Sequence, residues 1–172
     1  MSATAAHLHV HSEYSLLDGA NKIEAMAARA AELGMPALGL TDHGVMNGAV
    51  ELYQACRAHD VKPVIGLEAY LVGDIAEIKT KTRWERNHLT LLAANNTGFR
   101  NLVKLSSAGF LEGFARGKAN VDLAMLERYS DGVIALTGCL QSRFCKRIVE
   151  DRPREAREHV DHLINIFGRE SV

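Results

Sequence analysis

His7-Leu8-His9-Val10-His11 is the stretch on which the reading of the fold turns. Imidazole and aliphatic side chains alternate there with the period of a β-strand, which sets three histidines on one face. At about 3.3 Å per residue, His9 and His11 reach a common ion. His7 lies roughly 13 Å below His11 and is the weakest ligand of the three. Leu17-Asp18-Gly19-Ala20 then supplies turn residues.

From this strand onward the chain alternates. Residues 22–33 place Ile23, Met26, Ala27, Ala30 and Leu33 on one helical face, and Gly34 stops the helix. A short strand over 36–41 closes on Asp42-His43-Gly44. The helix expected over 47–59 turns Val50, Tyr53 and either Cys56 or Arg57 inward. Strands follow over 63–72 and 87–94, joined by a segment, Gly73 to Arg86, that reads as a polar loop. Thr97 is an N-cap for a helix carrying Phe99, Leu102, Val103 and Ser106 inward, and Asp122 caps a short helix ending near Tyr129. Gly132 to Thr137 is a fifth strand. Helices over 141–150 and from Pro153 to Gly168 close the chain. Strands separated by helices predict βαβ units and a parallel sheet, the link across 73–86 being the exception. Only Arg-Glu-Ser-Val follows Gly168 where a sixth strand is expected, so the chain reads as cut inside its barrel.

Composition narrows the function. The 172 residues include 20 Lys+Arg against 21 Asp+Glu, which argues against nucleic-acid binding by overall basicity. No apolar run is long enough for a membrane span, so no membrane partner is expected. Three cysteines, an odd and sparse set, point to a reducing cytoplasm rather than a disulfide framework. The eight histidines are the unusual number.

The polar residues fall at strand ends, where parallel α/β barrels gather their chemistry. His9 and His11 end the first strand, Asp18 follows in the loop, His43 ends the second, Glu68 lies on the third, His88 opens the fourth and Cys139 follows the fifth. Singly, each has an ordinary explanation: a hydrogen-bonded histidine, a turn aspartate, a buried thiol. Together they form a ligand set of imidazole, carboxylate and thiolate that suits zinc, manganese or iron better than calcium or magnesium. Its charge of about −3, with neutral imidazoles and a thiolate, calls for two or three divalent ions. A positive centre of that kind attracts phosphate, and the chemistry implied is metal-assisted phosphoester hydrolysis.

These stretches are recognisable. Leu8-His-Val-His-Ser-Glu-Tyr-Ser-Leu-Leu-Asp-Gly19, Leu40-Thr-Asp-His-Gly44, Ile65-Gly-Leu-Glu-Ala-Tyr70, His88-Leu-Thr-Leu-Leu-Ala93 and Leu136-Thr-Gly-Cys139 resemble the polymerase and histidinol phosphatase (PHP) domain. Asn95-Asn-Thr-Gly-Phe-Arg-Asn-Leu102 and Phe110-Leu-Glu-Gly113 resemble its branch at the N-terminus of bacterial DNA polymerase III alpha subunits. The resemblance implies an α/β fold, a distorted (β/α)7 PHP barrel that is incomplete at the C-terminus here, with the polymerase palm absent. It implies metal ligands at His9, His11, Asp18, His43, Glu68, His88 and Cys139, with Glu68 bridging two metals. Glu68, His43 and Asp18 are the expected catalytic residues, and Asp42 is expected to orient His43 or a neighbouring ligand. The implied activity is 3′–5′ exonuclease hydrolysis within a DNA-directed DNA polymerase that replicates DNA. The implied partners are a DNA 3′ end, the remainder of the alpha chain and other replisome subunits. The family's final Asp-x-His has no counterpart before Val172, since Asp161-His162 lies inside the last helix.

Two alternatives remain: a catalytically silent scaffold, and a free-standing small-molecule phosphoesterase, against which the polymerase-like stretches argue. Lys79, Lys81, Arg83, Trp84 and Arg86 form a basic segment with an aromatic inside it, a candidate DNA contact. His59, His159 and His162 read as polar helix positions, and Cys56 and Cys145 as helix-core fillers.

Overall fold

The computed structural model describes residues 5–172. In chain order they form α1 (Ile23–Glu32), β1 (Ala37–Leu40), α2 (Ala49–Ala58), β2 (Lys62–Leu71), α3 (Ile75–Thr80), β3 (Asn87–Ala93) and α4 (Asn96–Leu111). The hairpin strands β4 (Phe114–Ala115) and β5 (Lys118–Val121) follow, then α5 (Leu123–Arg128), β6 (Val133–Leu136), α6 (Arg143–Val149) and α7 (Pro153–Phe167). Among the described residues no helix is long and apolar enough to cross a membrane.

The ten-residue β2 is the hub. β1 lies parallel to its first half, with Leu40 opposite Ile65, and β5 lies parallel to its end, with Tyr70 opposite Asn120. β3 runs antiparallel to it, with Glu68 opposite Thr90, and β6 runs antiparallel to β3. β1, β2, β5 and β6 therefore share one direction and β3 alone among the long strands reverses. The reversal falls at the link across 73–86, the one set apart from the βαβ pattern in the sequence. The only helix between β2 and β3 is the six-residue α3, too short for a crossover, so the chain doubles back. The result is a mixed sheet bent into a distorted, incomplete α/β barrel. The sequence expectation of that fold stands.

The first histidine stretch is not a regular strand. His7 makes a single bridge to Leu38, and Thr41 N donates to Val10 O further along. Gly39 explains the closeness: a Cβ there would sit 2.7 Å from the Leu8 Cα. That approach lays the histidine segment directly on β1.

Alternation along β2 sorts its side chains. Leu67, Ala69 and Leu71 enter a core with Leu89, Leu91, Leu102, Leu105, Leu126 and Leu163, while Glu68 and Tyr70 face the other way. A second cluster joins α1, α2 and β1 through Ile23, Ala27, Leu38, Leu52 and Cys56. Here α2 is rotated from expectation: Ala49, Leu52, Ala55 and Cys56 are buried, whereas Val50 and Tyr53 are exposed. Small residues at that seam bring α2 close to Ala27 and Ala30 of α1. Helix α4 begins earlier than expected, because Asn95 rather than Thr97 accepts from Thr97 N and Gly98 N. Its inner face is Leu102, Leu105 and Ala108, with Val103 outside. His159 is buried in α7 rather than on a polar face.

Candidate metal centre

Glu68 is 1% exposed in the middle of β2. The chain leaving β1 continues beside it: Glu68 N donates to Asp42 O, and Gly44 N donates to Glu68 O. This carries His43 alongside. Gly44 has φ 69°, and a Cβ there would meet the Tyr70 ring at 3.1 Å. On the other side His88 stands opposite Tyr70 in the β2–β3 register, so Glu68, Tyr70 and His88 share a face. Because β3 is reversed, its first residues lie where β2 ends.

Five side chains from four segments converge on the one carboxylate. Oε1 lies 3.3 Å from His9 Nε2, 2.9 Å from His88 Nδ1 and 3.0 Å from Cys139 Sγ. Oε2 lies 3.1 Å from His11 Nε2 and 2.8 Å from His43 Nδ1. His43 turns its other nitrogen, Nε2, to Asp18 Oδ2 at 2.9 Å. Cys139 Sγ and His88 Nδ1 are 3.8 Å apart. The seven candidate ligands are thus gathered into one constellation, with exposed Asp18 at its outer side. His7 is outside it, on a separate cavity with Lys22, Met26 and Arg29.

The donor set fits divalent ions. His43 Nδ1 and Glu68 Oε2 approach to 2.8 Å without hydrogen-bond alignment, and both atoms, with His11 Nδ1, are buried and have no hydrogen-bond partner. Buried nitrogens and oxygens are rarely left so unless something else satisfies them. Two trios have ligand atoms within 4.8 Å of one another: His9, Glu68 and Cys139, and His11, His43 and Glu68. They share Glu68, so its two oxygens could serve two ions, with Asp18 and His88 beside them.

Electrostatics follow the same geometry. Burial pushes the Glu68 carboxyl up, but the imidazoles of His11, His43, His88 and His9 together hold it well below the usual carboxylate range. Contact with Glu68 raises His43 despite its burial, with Asp18 adding to the effect. Asp18 is lowered by its bond to His43. Burial, then the Glu68 contact, pushes the Cys139 thiol up to about 11, so a metal entering that trio must displace the thiol proton.

Asp42 reaches the candidate ligands through two serines. It is 1% exposed, accepts from Ser12 N and Ser12 Oγ at 2.7 Å each, and from Ser15 Oγ at 2.7 Å. Ser15 Oγ in turn accepts from His43 N. Asp42 therefore anchors the loop between His11 and Asp18 and touches His43 only through Ser15.

The basic segment divides. Lys79 and Arg83 are exposed, and Lys81 pairs with Glu77. Trp84 packs on the core beneath Arg116, whose guanidinium lies 4.1 Å from the ring centre. Only Arg86 lines the cleft of the constellation. Sequence reasoning missed Tyr70, which stacks on His43 with 5.8 Å between ring centres; its position two residues after Glu68 was the available signal. It also missed Ser12 and Ser15, which carry no signal of their own.

A mixed barrel with four imidazoles and a thiol around one buried carboxylate defines a domain with a multihistidine centre of metal-ligand type. The profile of the PHP domain matches residues 7–172, and the chain belongs to that family. It is similar to the DNA polymerase III subunit alpha of Aquifex aeolicus, at 39% identity over 98% of this chain and 15% of the relative. The Helicobacter pylori subunit is 46% identical over 78% of this chain and 11% of its own length. The chain thus spans under a sixth of these curated relatives. Among solved structures, an amidohydrolase from Chromobacterium violaceum matches 93% of this chain and 49% of its own at 20% identity and TM-score 0.41.

Proposed function

We propose that the chain is the N-terminal PHP domain of a DNA polymerase III alpha subunit, the DNA-directed polymerase of bacterial replication. Its Glu68 centre binds two to three divalent ions, zinc or manganese foremost, and hydrolyses phosphodiesters at the 3′ end of DNA. The observation that carries this reading is the sharing of one buried carboxylate by two ligand trios, with a cleft of about 550 Å³ opening beside it. Divalent ions at such a centre supply Lewis acidity and an activated water for phosphoester cleavage.

The chain's own residues supply the rest. Glu68 offers one oxygen to each trio and keeps its charge because the imidazoles hold it ionised. His43 is fixed between Glu68 and Asp18, so its ring cannot rotate without breaking one contact. Asp18, at the exposed side, faces the cleft together with His43 and His88 and holds the His43 ring toward it.

Incubation of the manganese- or zinc-loaded chain with a 5′-labelled single-stranded oligonucleotide tests the proposal. Stepwise shortening from the 3′ end that stops with chelator is expected. A structural reading has its own support: the centre ties together five segments that the sheet joins only partly. Metal binding with intact 3′ ends in both metals would select it.

A further inference from the structure

The cleft beside the centre holds a second chemistry that the ligand set does not use. Its far wall carries Arg86 and Lys118, both placed over the ring of Tyr70, at 5.6 and 4.9 Å from its centre. Tyr70 stacks in turn on His43. Two cations therefore stand one aromatic ring away from the candidate ligands, on the same cleft.

Arg86 is half-buried and has no carboxylate partner among the described residues. Its Nε donates to Asn120 Oδ1 at 2.6 Å and its Nη2 to Ala115 O at 3.1 Å, both neutral acceptors. Asn120 is fully buried and is itself locked, donating from Nδ2 to Gly113 O and Lys118 O. Lys118 makes no ion pair among the described residues. Withdrawing cationic charge from water without a counter-charge is costly. A guanidinium fixed by two hydrogen bonds and a lysine over the same ring, both without a carboxylate partner among the described residues, are suited to an anion that arrives from solution.

The supporting element is the β4–β5 hairpin. Its turn, Arg116-Gly117, has φ 50° and 72°, and it delivers both Lys118 and Asn120. The same cleft is lined by exposed Leu17 and Phe110, apolar surface where a nucleobase can lie.

We infer that Arg86 and Lys118, set by Asn120 and Tyr70, form a subsite for a backbone phosphate of single-stranded nucleic acid. This is the phosphate next to the one presented to the Glu68 centre, with the terminal base lying against Phe110 and Leu17. The inference rests on the proposed reading of that centre as a phosphodiesterase. It makes the substrate a polynucleotide end rather than a small phosphomonoester, since a monoester has no second phosphate to hold.

Fluorescence anisotropy of a 5′-labelled single-stranded oligonucleotide, titrated with the full chain at several salt concentrations in EDTA, tests the subsite without requiring hydrolysis. R86Q and K118Q are each expected to bind about tenfold more weakly. Each should also lower the slope of log affinity against log salt by about 0.7. R154Q, on the exposed side of α7, serves as the control and should match the parent. If R86Q does not fold, K118Q alone decides, because Lys118 makes no ion pair. Unchanged affinity and slope in K118Q would overturn the subsite, as would displacement of the oligonucleotide by equimolar inorganic phosphate. A parent chain that binds with the expected slope yet never shortens the oligonucleotide with metal removes the phosphodiesterase reading and leaves the subsite standing.

Discussion

His11 and His43 stack with 4.1 Å between ring centres and 23° between planes, and both turn a nitrogen to Oε2 of Glu68. Two imidazoles so close repel each other when both are protonated, and the carboxylate between them offsets that only in part. A divalent ion bound there would take the place of those protons. Saturating manganese or zinc at about 100 times its dissociation constant should stabilise the chain by roughly 2.7 kcal/mol. Scanning calorimetry should show a rise in Tm of about 5–10 °C, reversed by EDTA. A Tm indifferent to both metals would count against the centre.

Glu68→Gln keeps the shape of the side chain and removes the charge that both trios share. Metal content of the dialysed protein should fall from about two equivalents to less than one. The metal-free protein should also lose about 3 kcal/mol in urea, because a buried charge network loses its anion. Full metal retention by this variant would mean that the imidazoles and Cys139 suffice alone.

Asp42→Asn tests the loop anchor. Three short hydrogen bonds reach this carboxylate from Ser12 and Ser15. The amide can accept only part of them, so a loss of about 2 kcal/mol is expected. Metal affinity should drop about tenfold or more because the loop carrying Asp18 loosens. A stability loss with no change in metal affinity would confine Asp42 to folding.

How much of this was legible in the sequence depends on what each residue pattern encodes. Alternation through Leu67-Glu68-Ala69-Tyr70 has one physical solution, so the buried carboxylate and its strand could be read directly. Strand direction is not carried by alternation, and β3 reads the same whichever way it runs. In α2, Val50 and Tyr53 compete with Leu52 and Cys56 as an apolar face, and only packing against the small residues of α1 decides between them. The β4–β5 hairpin is too short to leave a periodic signal. His159 looked polar because it lies in a run with Arg157, Glu158, Asp161 and His162, although its own position faces the core.

That histidine makes stability depend on pH. Burial, with Arg143, His162 and Arg147 nearby, lowers His159 to about 4, Glu85 opposing weakly. The unfolded chain therefore binds a proton that the folded chain refuses between about pH 6.5 and 4. The contribution is fully present above pH 6.5 and is lost as pH falls toward 4, by about 3 kcal/mol at most. Urea titrations of the chain and of His159→Leu across that range should show a shallower decline for the variant. Parallel curves would assign the acid sensitivity to other groups.

The most direct measurement is anomalous X-ray diffraction from crystals of the chain grown with manganese or zinc, recorded at the absorption edge of the metal used. Two peaks flanking Glu68 are expected, each about 2.0–2.3 Å from ligand atoms, one among His9, Cys139 and Oε1 and one among His11, His43 and Oε2. Peaks only elsewhere, or none at a metal content of two equivalents, would contradict the account.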